Sequence, residues 1–438
     1  MATLEQARVP QWPVFGALQH ETDKLRLLLS RWKPMPLTRP PFDTIALVLQ
    51  GGGALGAYQA GVMEGLATAG IEPDWVAGIS IGAINAALIA GNEPGKRIAA
   101  LRDFWDTVSR PAAYPDAMAF MDAIVEPVDD WRREIWNGWN AWRAITEGQR
   151  GFFTPRPTTA FLGPQPRDAA SFYDTAPLKA TLERLVDFDR INAGVTRLTV
   201  SAVEVETGNF EVFDNQHGRW RKRIRAEHIM ASGALPPGFP AIAIEEPGPI
   251  DPSRGSGAPR PVHYYWDGGL VSNTPLAQVL DDHPRRDTLA FQVDLWSARG
   301  KVPTNVIDAQ ERVKDIQFSS RTRAITNMQA QEQRQRRMLR EVLEQIPPAL
   351  RETNAACRAA AQQATARCVS VIQLIYQDKE WDGLSKDYEF GAVTMRSHWE
   401  SGLTDINHTL EHPRWLERPE GDDPFVTHDI HRHRRLQD

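Results

Sequence analysis

One stretch of about fifty residues constrains the fold more than any other. In it, two short apolar runs each end in a glycine-containing turn, and each turn opens into a helical pattern. Thr44-Ile-Ala-Leu-Val-Leu49 is short and rich in branched residues, as a buried strand is. Gly51-Gly52-Gly53-Ala54-Leu55-Gly56 follows, and then Tyr58, Val62, Leu66 and Ala69 recur at helical spacing up to Gly70, where a C-terminal glycine ends the helix. Asp74 to Ile79 reads as a second strand, Ser80 and Gly82 as a turn, and Ala83 to Ala90 as a second buried helix closed by Gly91-Asn92. Strand, helix, strand, helix in this order predicts parallel strands joined by right-handed crossovers.

The 438 residues correspond to about two to four domains of ordinary size. With 42% hydrophobic and 24% charged residues, the chain is neither disordered, collagen-like nor a disulfide-stapled miniature. No apolar run approaches the roughly 18–20 residues of a membrane helix; the Ile81–Ala90 run is interrupted by Asn85. The sequence starts Met-Ala-Thr-Leu-Glu-Gln-Ala-Arg, without a basic start and an apolar core, so cytoplasmic residence is expected. A net charge of −6 argues against nucleic acid as a partner. Cys357 and Cys368 are expected to be a reduced pair in a helical segment, with a disulfide as the alternative.

Residues 1–42 are Pro-rich and read as an arm. Residues 100–170 read as a mostly helical insertion, because five of the fourteen tryptophans fall at 105, 131, 136, 139 and 142. Trp131, Trp136, Trp139 and Trp142 suit either plain core or an apolar lid over an acyl-binding surface. Leu198–Val205 and Asn209–Phe213 predict strands around Thr207-Gly208, Leu289–Leu295 predicts another, and Pro247–Pro261 predicts a loop. Asn305–Leu350 reads as one long helix lined by Arg321, Arg323, Arg334, Arg336, Arg337 and Arg340, either a solvated face or a face for anionic headgroups. A further helix, a strand at Val369–Tyr376 and a polar tail complete the chain.

Gly78-Ile-Ser80-Ile-Gly82 fits the nucleophile elbow, in which a strand feeds a strained turn at the start of a helix and small flanking residues permit close packing. Gly51, Gly52 and Gly53 suit an oxyanion hole, since glycine lets amides approach a substrate and each fixed donor is worth about 3 kcal/mol. Gly51, Gly53 and Gly56 also match the dinucleotide fingerprint G-x-G-x-x-G. That motif needs an acid at the end of the second strand, however, and Asp74 stands at its start. Asp267-Gly268-Gly269 follows the run His263-Tyr-Tyr-Trp266 and puts a carboxylate at a strand end, where desolvation would let it accept the serine proton. A triad would instead draw on His283, His398, His408 or His412. No His, Cys or Asp cluster has metal-ligand spacing, and no metal or other cofactor is expected.

GGGALG at 51–56, GISIG at 78–82 and DGG at 267–269 together resemble the patatin-like phospholipases. Asp174-Thr-Ala-Pro177-Leu178, the block Ala231–Pro240, and Asn273 and Pro275 resemble further segments of that family. The resemblance spans about residues 43–295. It implies a three-layer α/β/α fold with a mostly parallel central sheet and a serine lipid acyl hydrolase in which Ser80 is the nucleophile, Asp267 the base, and Gly51, Gly52 and Gly53 the oxyanion donors. It also implies a lipid or ester substrate, with peripheral contact to a membrane as a further expectation and calcium not required. Leu55 departs from the Lys or Arg of many members. The region beyond about 300 resembles the C-terminal extension of some bacterial members. The implied organisation is an arm at 1–42, a catalytic domain at 43–300 and a mainly helical extension at 301–438. A regulatory protein on a hydrolase scaffold, and less so a dinucleotide-binding oxidoreductase, are the alternatives.

Overall fold

A computed structural model describes residues 38–110, 130–157, 166, 170–216, 221–245, 261–319, 322–364, 367–379, 381–419 and 425–431. Most of the arm, residues 111–129 of the insertion, nearly all of the Pro247–Pro261 loop and the end of the tail lie outside these.

The two apolar runs form β1 (Thr44–Leu49) and β2 (Trp75–Gly78), joined by helix α1 (Ala57–Thr68); α2 (Ile81–Ala90) follows β2. The insertion contributes α3 (Asp130–Glu147) and a two-stranded ribbon, β3 (Thr154–Pro155) with β4 (Tyr173–Asp174). The chain returns to the sheet through β5 (Arg197–Glu204), β6 (Phe210–Asp214), β7 (Ile242–Glu245), β8 (Val262–Asp267) and β9 (Thr288–Asp294). Beyond them lie α4 (Val306–Phe318), α5 (Thr322–Glu344), β10 (Val369–Ile375), α6 (Ala392–Leu410) and β11 (Phe425–Asp429).

The sheet has the order β11-β10-β9-β1-β2-β5-β8-β7, with β6 beside β5. From β11 to β5 every pairing is parallel; β6 and β8 run antiparallel to β5. Successive residues of β1 point to opposite faces. Ile45, Leu47 and Leu49 enter the larger core, which contains α1, α2 and Trp105. Ala46 and Val48 enter a smaller one with Trp75, Leu276 and Val371, against which Ile325 and Ala330 of α5 pack. Two cores on opposite faces of one sheet make the expected three-layer α/β/α arrangement. Asn85, the polar residue inside the apolar run, is fully buried and satisfied: its amide donates to the Gly56 carbonyl and to Gln59 Oε1, and its carbonyl accepts from Trp105 Nε1. Among the described residues no helix is long and apolar enough to cross a membrane.

Two expectations are corrected. The long helix of 305–350 is broken after Phe318, where Ser319 turns extended. Serine competes with the helix by local hydrogen bonding, and its hydroxyl donates here to the Ile316 carbonyl. Several of its arginines serve the fold: Arg336 donates to Gln363 O and Arg340 to Ala364 O, while Arg337 pairs with Glu341. Cys368 lies outside the helix that carries Cys357, just before β10, and both thiols are free.

The boundary expected near residue 300 runs through a shared core. β10 pairs with β9 over its whole length, and Ile372 and Leu374 are fully buried in the larger core. α6 lies against α1, with the Tyr58 hydroxyl donating to Asp405 at 2.8 Å. Ile372→Ala is therefore expected to lower stability by about 2–5 kcal/mol in one cooperative urea transition. An unchanged main transition beside a separate minor one would show that the region beyond 300 folds apart.

Candidate active site

β5 sets the geometry of the site. Its partner on one edge is β6, which pairs with Thr199 to Val203. On the other edge β2 covers the first half, with Gly78 opposite Val200, and β8 covers the second, with Asp267 opposite Ala202. Two strands running toward one another thus end two residues apart on the same edge, about 7 Å along the strand. Ser80 follows the end of β2, and Asp267 is the last residue of β8.

Ser80 has φ 56° and ψ −125°, and is the one non-glycine residue with positive φ among those described. The turn that holds it is crowded. A Cβ on Gly78 would stand 2.2 Å from the Gly82 carbonyl oxygen, and one on Gly82 would stand 2.3 Å from that of Leu49. The Ser80 amide donates to the carbonyl and hydroxyl oxygens of Ser232, both at 3.1 Å. Ser232 in turn donates to the Ser201 carbonyl at 2.7 Å, which ties the elbow to β5.

The Asp267 carboxylate is 3% exposed, accepts from the Gly269 amide at 2.7 Å and lines the same cavity as the Ser80 hydroxyl, a second donor within its reach. Burial pushes its pKa up to about 7, against the opposing pull of those two donors. Gly268 packs on the Ser201 carbonyl beneath the carboxylate.

Gly51, Gly52 and Gly53 approach the serine from the end of β1. The Gly51 amide is already committed, donating to the Asn273 carbonyl at 3.2 Å. Among the described residues the Gly52 and Gly53 amides have no protein acceptor, so the expected set of three donors narrows to two. Leu55, which stands where many members of the resembled family carry Lys or Arg, is fully buried in the larger core.

These groups open into a cavity of about 400 Å3. Ser80, Asp267 and the three glycines lie at its polar end; Ile84, Phe152, Phe153, Phe239 and Phe390 form an apolar wall. Phe153 meets Tyr173 and Phe239 with ring centroids 4.8 and 5.3 Å apart. A serine hydroxyl beside a carboxylate, two free amides and a long apolar wall suit acyl transfer from a substrate with an aliphatic tail.

A family model described as patatin-like phospholipase matches residues 47–280, just over half of the chain. The chain belongs to the patatin-like phospholipase family. A second model, described as patatin phospholipase, matches residues 316–422. By this membership the protein is a lipid-hydrolysing enzyme. Three solved structures match the chain at low identity. VipD from Legionella pneumophila is 14% identical over 88% of this chain and 72% of that one, with a TM-score of 0.34. Human GIVD cytosolic phospholipase A2 is 11% identical over 85% and 60%, with a TM-score of 0.31. ExoU, in its complex with SpcU from Pseudomonas aeruginosa, is 17% identical over 89% and 74%, with a TM-score of 0.24. No curated protein matches the chain.

Within this patatin-like site no histidine lines the cavity among the described residues. His398, one of the alternatives for a triad, is fully buried on α6 beside Asp382. Asp74, the acid that a dinucleotide site would need, lies at the far end of the sheet and accepts from the Ile45 amide and from Arg39. Sequence reasoning missed Trp296, Phe318, Tyr388 and Phe390, all of which line the cavity from beyond the motif blocks. It also passed over the role of Ser232, although the block Ala231–Pro240 marked the segment.

The burial of Asp267 has a stability consequence. Below about pH 4 both folded and unfolded chains hold the proton, and the group contributes nothing. As pH rises toward 7 only the unfolded state releases it, and folding loses about 4 kcal/mol by the time the folded pKa is passed. Asp267→Asn is expected to raise the unfolding midpoint at pH 8, with a gain that fades as pH falls to 4. A gain independent of pH would contradict the raised pKa.

Proposed function

We propose that the protein is a serine lipid acyl hydrolase of the phospholipase A or esterase type, working through a Ser80–Asp267 dyad with the Gly52 and Gly53 amides as oxyanion donors. What supports this reading is that the strained Ser80 and the buried Asp267 carboxylate, whose pKa burial raises to about 7, both line the polar end of one apolar-walled cavity beside the glycine amides. Ser80 Oγ attacks the ester carbonyl carbon while its proton passes to Asp267. The carbonyl oxygen becomes an oxyanion and accepts from the two amides. Collapse breaks the ester C–O bond, and the leaving alcohol takes the proton from Asp267. Water then attacks the acyl-enzyme, Asp267 receives its proton, and the carboxylic acid departs as Ser80 is re-protonated.

The wall of Phe152, Phe153, Phe239 and Phe390 takes the acyl chain. Such a substrate arrives from a lipid surface, and apolar groups stand at the rim of the cavity. Ile145 and Phe172 line the cavity, yet are 48% and 46% exposed. Trp139 and Trp142 continue the rim along α3, stacked with ring centroids 5.0 Å apart and about half exposed. Tryptophan is suited to a boundary between apolar and wet surroundings, so this face is assigned to the lipid contact.

Asp267 must be ionised to accept a proton. With a p-nitrophenyl ester, kcat/KM is expected to rise about tenfold per pH unit below an inflection near 7 and to level off above it. Ser80→Ala should lose hydrolysis and fluorophosphonate labelling while unfolding as the parent does. Retained turnover in that variant, or a rate flat from pH 5 to 9, would overturn the assignment.

A further inference from the structure

The outer side of the glycine loop is held by the region beyond residue 300. The Ala54 amide, next in line after those of Gly52 and Gly53, donates to the Asp387 carbonyl at 2.7 Å. That carbonyl sits so close that a Cβ on Gly53, itself at φ 55°, would stand 2.0 Å from it. Only a glycine in the left-handed region lets the two backbones meet there. Within the loop, Leu55 N–H returns to the Gly52 carbonyl at 3.2 Å and Gly51 N–H is tied to Asn273. The Asp387 carbonyl is therefore the anchor that sets how the intervening peptide planes of Gly52 and Gly53 are turned.

Asp387 is itself held by one side chain of α4. Lys314 Nζ pairs with the Asp387 carboxylate and donates to the Leu384 carbonyl at 3.3 Å. It stands 5.1 Å from the Tyr388 ring centroid and 5.8 Å from that of Trp296. The same helix reaches the inner side of the loop. The carbonyl of its last residue, Phe318, accepts from Asn273 Nδ2 at 2.8 Å and from Gln50 Nε2 at 3.1 Å. Asn273 Nδ2 and Trp296 Nε1 both donate to the Gly51 carbonyl, at 3.1 and 2.9 Å.

We propose that Lys314 is a positioning residue for acyl transfer: by fixing Asp387 it fixes the carbonyl that anchors Ala54, and so aims the Gly52 and Gly53 amides at the developing oxyanion. The region beyond 300 is then a working part of the catalytic site, which rests on the oxyanion role proposed above. Lys314 touches neither nucleophile nor base. Its removal is felt where charge develops on the carbonyl oxygen and hardly at all in ground-state binding.

The test uses the full chain and a p-nitrophenyl ester. Lys314→Met should lower kcat by about 10- to 100-fold, with KM, the inflection near pH 7 and the unfolding midpoint close to those of the parent. Lys314→Arg should restore kcat to within about threefold, because it can still pair with Asp387. Asp387→Asn keeps the carbonyl but loses the ion pair, and should match Lys314→Met. The double variant should be no slower than either single one, as expected of two groups acting in series. A parental kcat in Lys314→Met, or losses that multiply in the double variant, would overturn the proposal. Should Lys314→Met not fold, a parental kcat in Asp387→Asn would do so alone. These outcomes leave the dyad untouched; only an active Ser80→Ala removes the reading beneath.

Discussion

Everything in the site depends on the way two strands share one edge of β5. β2 runs along it from one end and β8 from the other, and each stops where the other begins. A hydroxyl and a carboxylate almost two hundred residues apart in sequence are thereby brought to adjoining strand ends without any long loop to hold them. Hydrogen-bond register is a stringent ruler, since a slip of one residue turns every side chain to the opposite face. The Ser80 amide is fixed to Ser232, and Ser232 to Ser201 of β5, so the same strand also steadies the elbow.

Energetically the site is held against its own preferences. Ser80 sits in a backbone region that side chains avoid, and Asp267 is charged only at a cost because it lies away from water. Both are sustained by a large core on one face of the sheet and a smaller one on the other. On the proposed dyad, what these costs give is a carboxylate that holds a proton near neutral pH beside a hydroxyl fixed by its own turn. The glycine loop follows the same logic, since its free amides stay free only because Asn273, Trp296 and Asp387 hold the neighbouring carbonyls and amides.

Much of this was legible in the residues. The alternation of apolar runs, glycine turns and helical spacing over residues 44–90 predicts β1, α1, β2 and α2, and the hairpin at Thr207-Gly208 joins β5 to β6 as expected. Ser80, Asp267 and the glycines were marked by turn chemistry together with a family resemblance. Three things were not legible, each for a physical reason. The commitment of the Gly51 amide depends on Asn273, which only tertiary structure brings near. The break after Phe318 comes at Ser319, whose weak preference against helix is easily overlooked in a strongly periodic stretch. The place of Asp387 and Phe390 in the cavity leaves no local signature, because nothing in their spacing relates them to residues 51–54. Trp105 and Trp142 show the limit of composition: the first is fully buried in the core and the second stands half exposed at the rim.

The central claim is that Ser80, Asp267 and two backbone amides converge on one reacting carbonyl. The most direct test is a crystal structure of the protein after reaction with a fluorophosphonate. The account predicts phosphorus bonded to Ser80 Oγ and its phosphoryl oxygen about 2.7–3.1 Å from the amide nitrogens of both Gly52 and Gly53. An adduct on another residue, or a phosphoryl oxygen turned away from the glycine loop, would contradict it.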